Sequence, residues 1–149
     1  MSTRQLGWTT LEESERLVKA GLDSNTADMT YRKWKTKNGK HKWEAECSQY
    51  AKYLEEDGDS GKFPEYLIKP CWSLGKLFDL LPETINGKGF QFEKHLENYE
   101  DAEFEIEYHS SQCHRTIEWW HGEVMVEVVV DALAWLSEHG HIEKTSAKQ

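Results

Sequence analysis

Between Arg32 and Trp43 the chain carries Arg32, Lys33, Lys35, Lys37, Lys40 and Lys42 with no acidic residue among them, and Trp34 and Trp43 flank the run. Six of the 18 lysines and arginines are concentrated there. Cations of this density bind anions, either phosphates or an acidic protein face, and tryptophan adds stacking on bases worth roughly 1–3 kcal/mol each. Asn38-Gly39 at the centre is the favoured pair for a two-residue type I′ turn, so residues 30 to 46 are expected to form a hairpin. That turn sets Lys37 opposite Lys40, Trp34 opposite Trp43, Lys35 opposite Lys42 and Lys33 opposite Glu44. Opposed lysines repel by a few tenths of a kcal/mol, a cost that an anionic partner would relieve. Arg32, Lys33, Trp34, Lys35, Lys37, Lys40, Lys42 and Trp43 are therefore the candidate binding residues. The plainer alternative packs both tryptophans on the core and leaves the lysines solvated, guarding an edge strand against pairing.

A second constellation is acidic: Glu93, Glu97, Glu100, Asp101, Glu103, Glu105 and Glu107, offset by Lys94. A regular row of carboxylates imitates phosphate spacing, as DNA-mimicking inhibitors do, and steers basic partners. Outward glutamates on a half-buried strand are also commonplace.

His109, Cys113, His114 and His121 are donors of the kind zinc prefers. Their spacing fits no standard site, and Cys113 and His114, being adjacent, would point to opposite faces of a strand. His139-Gly-His141 stands at an expected helix end, where histidine interacts with terminal carbonyls. Cys71, ahead of a helix start at Ser73, could be an activated thiol or simply a buried cysteine beside a cap. There is no GxSxG, P-loop, HExxH or dinucleotide fingerprint. No metal and no cofactor is expected, and a catalytic role is disfavoured.

The elements that position these residues follow from periodicity and caps. Thr10-Leu-Glu-Glu13 is a capping box and opens a helix that Gly21 ends. Leu22 to Met29 reads as turns, and Cys47 to Gly61 as a polar loop. Pro70 to Pro82 predicts a short helix capped by Ser73, with Leu74, Leu77, Phe78 and Leu81 at core spacing. Residues 89–93 and 103–108 alternate apolar and polar and are expected to be antiparallel neighbours, with Phe104, Ile106 and Tyr108 inward. A third strand is expected around Cys113 to Trp119. Residues 123–139 hold the β-branched run Val124 to Val130, which favours a strand locally. Apolar residues at 126, 129, 130, 133 and 136, with Gly140 beyond them, predict a helix instead. Residues 143–149 read as a polar tail.

With 149 residues, 38% hydrophobic and seven tryptophans, the chain is long and apolar enough for one ordinary core. The three cysteines, Cys47, Cys71 and Cys113, are widely spaced, which fits free thiols in a reducing compartment. The start lacks a secretory h-region and no stretch has membrane-spanning length, so the expected location is cytoplasmic. A net charge of −9 repels nucleic acid and anionic membrane at long range, leaving nucleic-acid contact only through the local basic hairpin.

Thr26-Ala-Asp-Met29, the PCWSL-type stretch Pro70 to Pro82 and Asp131-Ala-Leu-Ala-Trp-Leu-Ser-Glu-His-Gly140 together resemble a group of short uncharacterised proteins of phages and mobile elements of gut bacteria. The resemblance implies an N-terminal helix, a PCWSL helix, a small sheet and a final helix, together with a phage-like setting. It implies no reaction and no site residue. The combined expectation is a single α+β domain, a small and mainly antiparallel sheet packed against two or three helices. Its expected role is that of a non-enzymatic accessory protein that meets a host or phage protein. The alternatives are a nucleic-acid-contacting module using the hairpin, an acidic DNA mimic, and a small enzyme or metal protein using Cys71 or the His109 to His121 cluster.

Overall fold

The structure is a computed structural model in which residues 7–35, 38–50, 68–99 and 103–142 are described. Helix α1 (Leu11–Ala20) begins at the capping box: Thr10 Oγ1 accepts from the Glu13 amide at 3.1 Å, and Glu13 Oε1 accepts from the Thr10 amide at 2.9 Å. Gly21, left-handed at φ 104°, ends it. A 3-10 turn over Ser24–Thr26 then delivers the chain into strand β1 (Met29–Lys35), which pairs antiparallel with β2 (His41–Glu46).

The hairpin forms where expected, but its register is displaced by one residue. Lys33 faces Trp43, Trp34 faces Lys42, Lys35 faces His41 and Arg32 faces Glu44. A two-residue turn at Asn38-Gly39 demands an even number of residues between paired positions; the observed pairs enclose an odd number. Gly39 at φ 80° suits the longer hairpin loop, which is closed by a left-handed glycine. The expected partnership of Lys37 with Lys40 involves position 37, which lies outside the described residues.

Strand β3 (Ile68–Cys71) pairs antiparallel with the other side of β1, giving a first sheet in the order β2-β1-β3. Pro70 sits in this edge strand, where a missing N–H is tolerated. Pro70 and Cys71, at the start of the 70–82 segment, belong to this strand, and the helix itself, α2 (Leu74–Leu80), begins after the Ser73 cap as expected. Ser73 Oγ caps it by accepting from the Lys76 amide at 3.1 Å, while the Asp28 carboxylate accepts from the Ser73 amide at 2.9 Å and hydroxyl at 2.5 Å.

The second sheet is four-stranded and antiparallel, in the order β4 (Thr84–Gly87), β5 (Phe90–Asn98), β6 (Phe104–Ser110), β7 (Arg115–Gly122). Strands β4 and β5 are joined by Lys88 and Gly89 at φ 51° and 83°, the pair of left-handed residues a type I′ turn requires. The strands that hold residues 89–93 and 103–108 are antiparallel neighbours as expected, with Glu93 opposite His109, and the third strand is present with a bulge at Tyr108/His109. Two sheets thus stand where one was expected, and the class is α+β.

Helix α3 (Met125–Glu138) packs on β6, β7, α1 and α2. Its Val126, Val129, Val130, Leu133 and Leu136 join Leu17, Trp72, Leu77, Phe104, Ile106 and Tyr108 in one core. Ser137 Oγ donates to the Ala20 carbonyl at 3.0 Å and Arg16 pairs with Asp131, so the first and last helices are locked together. No helix is long and apolar enough to cross a membrane among the described residues.

Candidate functional site

The observed register divides the basic ribbon between two faces. Arg32, Trp34 and Lys42 lie on one side of the first sheet and Lys33 and Trp43 on the other, because neighbours in a strand alternate; the backbone of Lys35 pairs with His41. Lys40 is exposed near the turn, and Lys37 is outside the described residues. Each tryptophan is already engaged by cations. The Arg32 guanidinium carbon is 3.4 Å from the Trp34 ring centroid, and Lys33 and Lys69 Nζ lie 5.8 and 5.1 Å from that of Trp43. Trp43 packs beside Met29, Tyr31 and Cys71 in a small secondary core, whereas Trp34 is 39% exposed. The opposed lysine pairs involving Lys35 do not exist, and with them goes the repulsion that argued for an anionic partner: Arg32 sits opposite Glu44 and 3.4 Å from Glu46 Oε2.

Like-charge opposition occurs instead on the second sheet. Strand alternation puts Phe104, Ile106 and Tyr108 inward against α3, and Glu103, Glu105, Glu107 and His109 outward. Across β5 the outward partners are Glu97 opposite Glu105, His95 opposite Glu107 and Glu93 opposite His109; across β7 they are His121 opposite Glu105 and Trp119 opposite Glu107. Among the described residues, five carboxylates and three imidazoles share this face without a lysine or arginine. Lys94 points inward and pairs with Glu83 at 3.0 Å. Glu100 and Asp101 fall outside the described residues.

The face is tied down by its own hydrogen bonds. His121 Nδ1 donates to Glu103 Oε1 at 2.5 Å, and Tyr99 Oη donates to Glu105 Oε1 at 3.2 Å. Thr116 Oγ1 donates to Glu107 Oε2 at 2.5 Å while accepting from His109 Nδ1 at 3.1 Å. Trp119, 48% exposed, stacks on His121 with ring centroids 4.4 Å apart. Successive outward glutamates along β6 are about 6.8 Å apart and adjacent strands about 4.8 Å, so the face presents an ordered two-dimensional array of acceptors.

The proposed histidine and cysteine cluster is dispersed by the same geometry. His109 and His121 are both on the outer face, but His109 lies on β6 and His121 faces β6 position 105, four residues or roughly 13 Å away. Cys113 and His114 are in the turn between β6 and β7, half-buried and exposed respectively. Among the described residues no three histidine, cysteine or acidic side chains converge to hold a metal. His139 behaves as a helix-end residue, its Nδ1 donating to the Trp135 carbonyl at 2.8 Å with the ring stacked on Trp135.

Cys71 has no exposed surface, and its sulfur is 3.7 Å from both Thr9 Oγ1 and the Thr9 carbonyl. Burial pushes its thiol up to about 12, with the nearby Asp28 carboxylate acting in the same direction. A thiol held protonated is a poor nucleophile. Iodoacetamide at pH 8 is expected to modify exposed Cys47 readily and half-buried Cys113 more slowly, leaving Cys71 intact until denaturant is added. Mass mapping that found Cys71 alkylated as fast as Cys47 would overturn this placement.

Comparison of the chain with family models, with curated proteins and with solved structures returned no match. The functional reading accordingly rests on the chain's own geometry.

Proposed function

We propose that the protein is a non-catalytic interaction protein that binds a basic protein through the outer face of its four-stranded sheet, in the manner of an acidic, DNA-mimicking inhibitor. The observation that carries this is the direct opposition of Glu97 and Glu105 inside a row that also holds Glu103 and Glu107. Like charges directly opposite destabilise a sheet, and a cationic partner would turn that cost into binding energy. The net charge of −9 would steer such a partner from a distance. The resemblance to phage and mobile-element proteins suggests the setting, bacterial cytoplasm with a host or phage protein as target.

The second reading, nucleic-acid contact through the hairpin, retains one specific support: Trp34 is exposed beneath Arg32, an arrangement able to stack on a base.

Affinity capture from nuclease-treated bacterial lysate separates the two. Glu97→Gln, Glu105→Gln and Glu107→Gln combined should remain folded, since they relieve repulsion, and should lose the captured basic protein by at least about tenfold, the scale of a few charged contacts. Neutralising Arg32, Lys33, Lys35, Lys40 and Lys42 should leave that capture intact. Equal capture by the glutamine variant and the intact chain would overturn the proposal. Capture lost in the hairpin variant alone, or lost on nuclease treatment, would move the function to the ribbon.

A further inference from the structure

At one end of the second sheet the β4–β5 turn and the β6–β7 turn enclose a cleft of about 470 Å³, within the range of small-molecule sites. Its apolar wall is Phe90, Phe92 and Ile117; its polar wall is Lys88, Arg115 and Thr116, with Cys113 between. The two turns are held in fixed relation. The Gln91 amide donates to Gln112 Oε1 at 3.1 Å, and Gly87 comes so close to Ile117 that a Cβ there would lie 2.8 Å from its Cδ1.

Two further observations describe this end. Lys88 at φ 51° and His114 at φ 57° are the non-glycine left-handed residues among those described; one lines the cleft and the other immediately precedes Arg115, which lines it too. Both belong to hairpin turns, whose left-handed positions fix the rim of the cavity. In addition, neither Lys88 nor Arg115 forms an ion pair among the described residues; exposed lysines elsewhere share that state, but of the described arginines Arg16 and Arg32 each have an acidic partner and Arg115 does not. Two unpaired cations beside an apolar wall, on a strongly acidic protein, are matched by a ligand that brings both an anion and an apolar body.

We propose that this cleft binds a small organic anion, an aromatic or short aliphatic body seated on Phe90, Phe92 and Ile117 with its carboxylate or phosphate held by Lys88 and Arg115. Guanidinium offers such a head a two-pronged hydrogen-bonding fork and ammonium a point charge. The site is on a different part of the sheet from the glutamate row and is independent of it.

Phenyl phosphate and benzoate are the probes, with benzyl alcohol as the neutral body and inorganic phosphate as the bare head, each titrated into isotope-labelled protein and followed by amide chemical shifts. The aryl anions are expected to shift Gly89, Phe90, Cys113, Arg115 and Thr116 and to bind about tenfold more tightly than either control. Phenyl phosphate binding the tighter would assign a phosphate head, benzoate a carboxylate head. Bound anion should also slow Cys113 alkylation without affecting Cys47. Lys88→Asn with Arg115→Gln removes both charges; asparagine adopts positive φ more readily than lysine, so the turn survives, and affinity should fall about tenfold. Equal binding of benzyl alcohol, undiminished binding to the double variant, or shifts confined to the basic hairpin would each overturn the proposal.

Discussion

Replacing Trp72 with alanine should remove about 3–5 kcal/mol of stability, a large share of the roughly 5–15 kcal/mol that a folded domain possesses. Trp72 has no exposed surface and belongs to the main core. Its position is over-determined. The ring Nε1–H donates to Thr26 Oγ1 at 2.9 Å, the backbone amide donates to Thr9 Oγ1 at 3.2 Å, and the backbone carbonyl accepts from the Thr9 amide at 3.0 Å. The residue sits between β3 and the Ser73 cap of α2, so it fixes the first sheet, the 3-10 turn and α2 against one another. Trp72→Phe keeps most of the volume and leaves the Thr26 hydroxyl its bond to the Asp23 carbonyl at 2.6 Å; it should cost only about 1–2 kcal/mol, the worth of one buried hydrogen bond with a small packing defect. Urea titration of the three proteins checks both values. An alanine variant within about 1 kcal/mol of the parent would mean that the ring is not packed as described.

The parts of this fold that were legible in the sequence are those whose causes are local. The capping box at Thr10, the Ser73 cap and the strict alternation of Glu103 to Tyr108 specify their elements through neighbouring residues alone. Strand β3 is different. Its four residues include a proline, and the partner that makes them a strand, β1, is nearly forty positions away. Strand β4, Thr84–Gly87, is equally short, and a Thr-Ile-Asn-Gly segment has too few residues to show a period.

The hairpin shows how one residue of register alters function. Asn38-Gly39 announced a turn correctly, but the even spacing attached to it placed Trp34 against Trp43 and lysine against lysine. The observed odd spacing puts the tryptophans on opposite faces and brings Glu44 opposite Arg32. Conversely, the glutamate row was visible as composition, while its decisive feature, Glu97 opposite Glu105 beside His121, exists only through cross-strand pairing. The cleft was not legible at all. Lys88 and Arg115 are far apart in sequence and meet because two turns end at the same edge of one sheet.

The second large effect is expected in α3, where sequence and structure compete most directly. Val126, Val128, Val129 and Val130 each cost a helix a few tenths of a kcal/mol relative to alanine, and in isolation the run favours a strand. The helix forms because α1, α2, β6 and β7 surround it and bury Val126, Val128, Val129, Val130, Leu133 and Leu136 almost completely. Each such side chain contributes about 1.5–3 kcal/mol when withdrawn from water, several times its propensity cost. Val129 has no exposed surface. Val129→Asp would place a carboxylate there with no partner, a penalty of about 3–5 kcal/mol or more, and this variant should be largely unfolded by far-UV circular dichroism at neutral pH. Val129→Ala removes two methyl groups and regains helix propensity, so it should fold and lose only about 1–2 kcal/mol. A folded aspartate variant with an unchanged urea midpoint would show that this face of α3 meets solvent. An alanine variant as damaged as the aspartate one would show that shape at this position, rather than exclusion of charge, holds the helix in place.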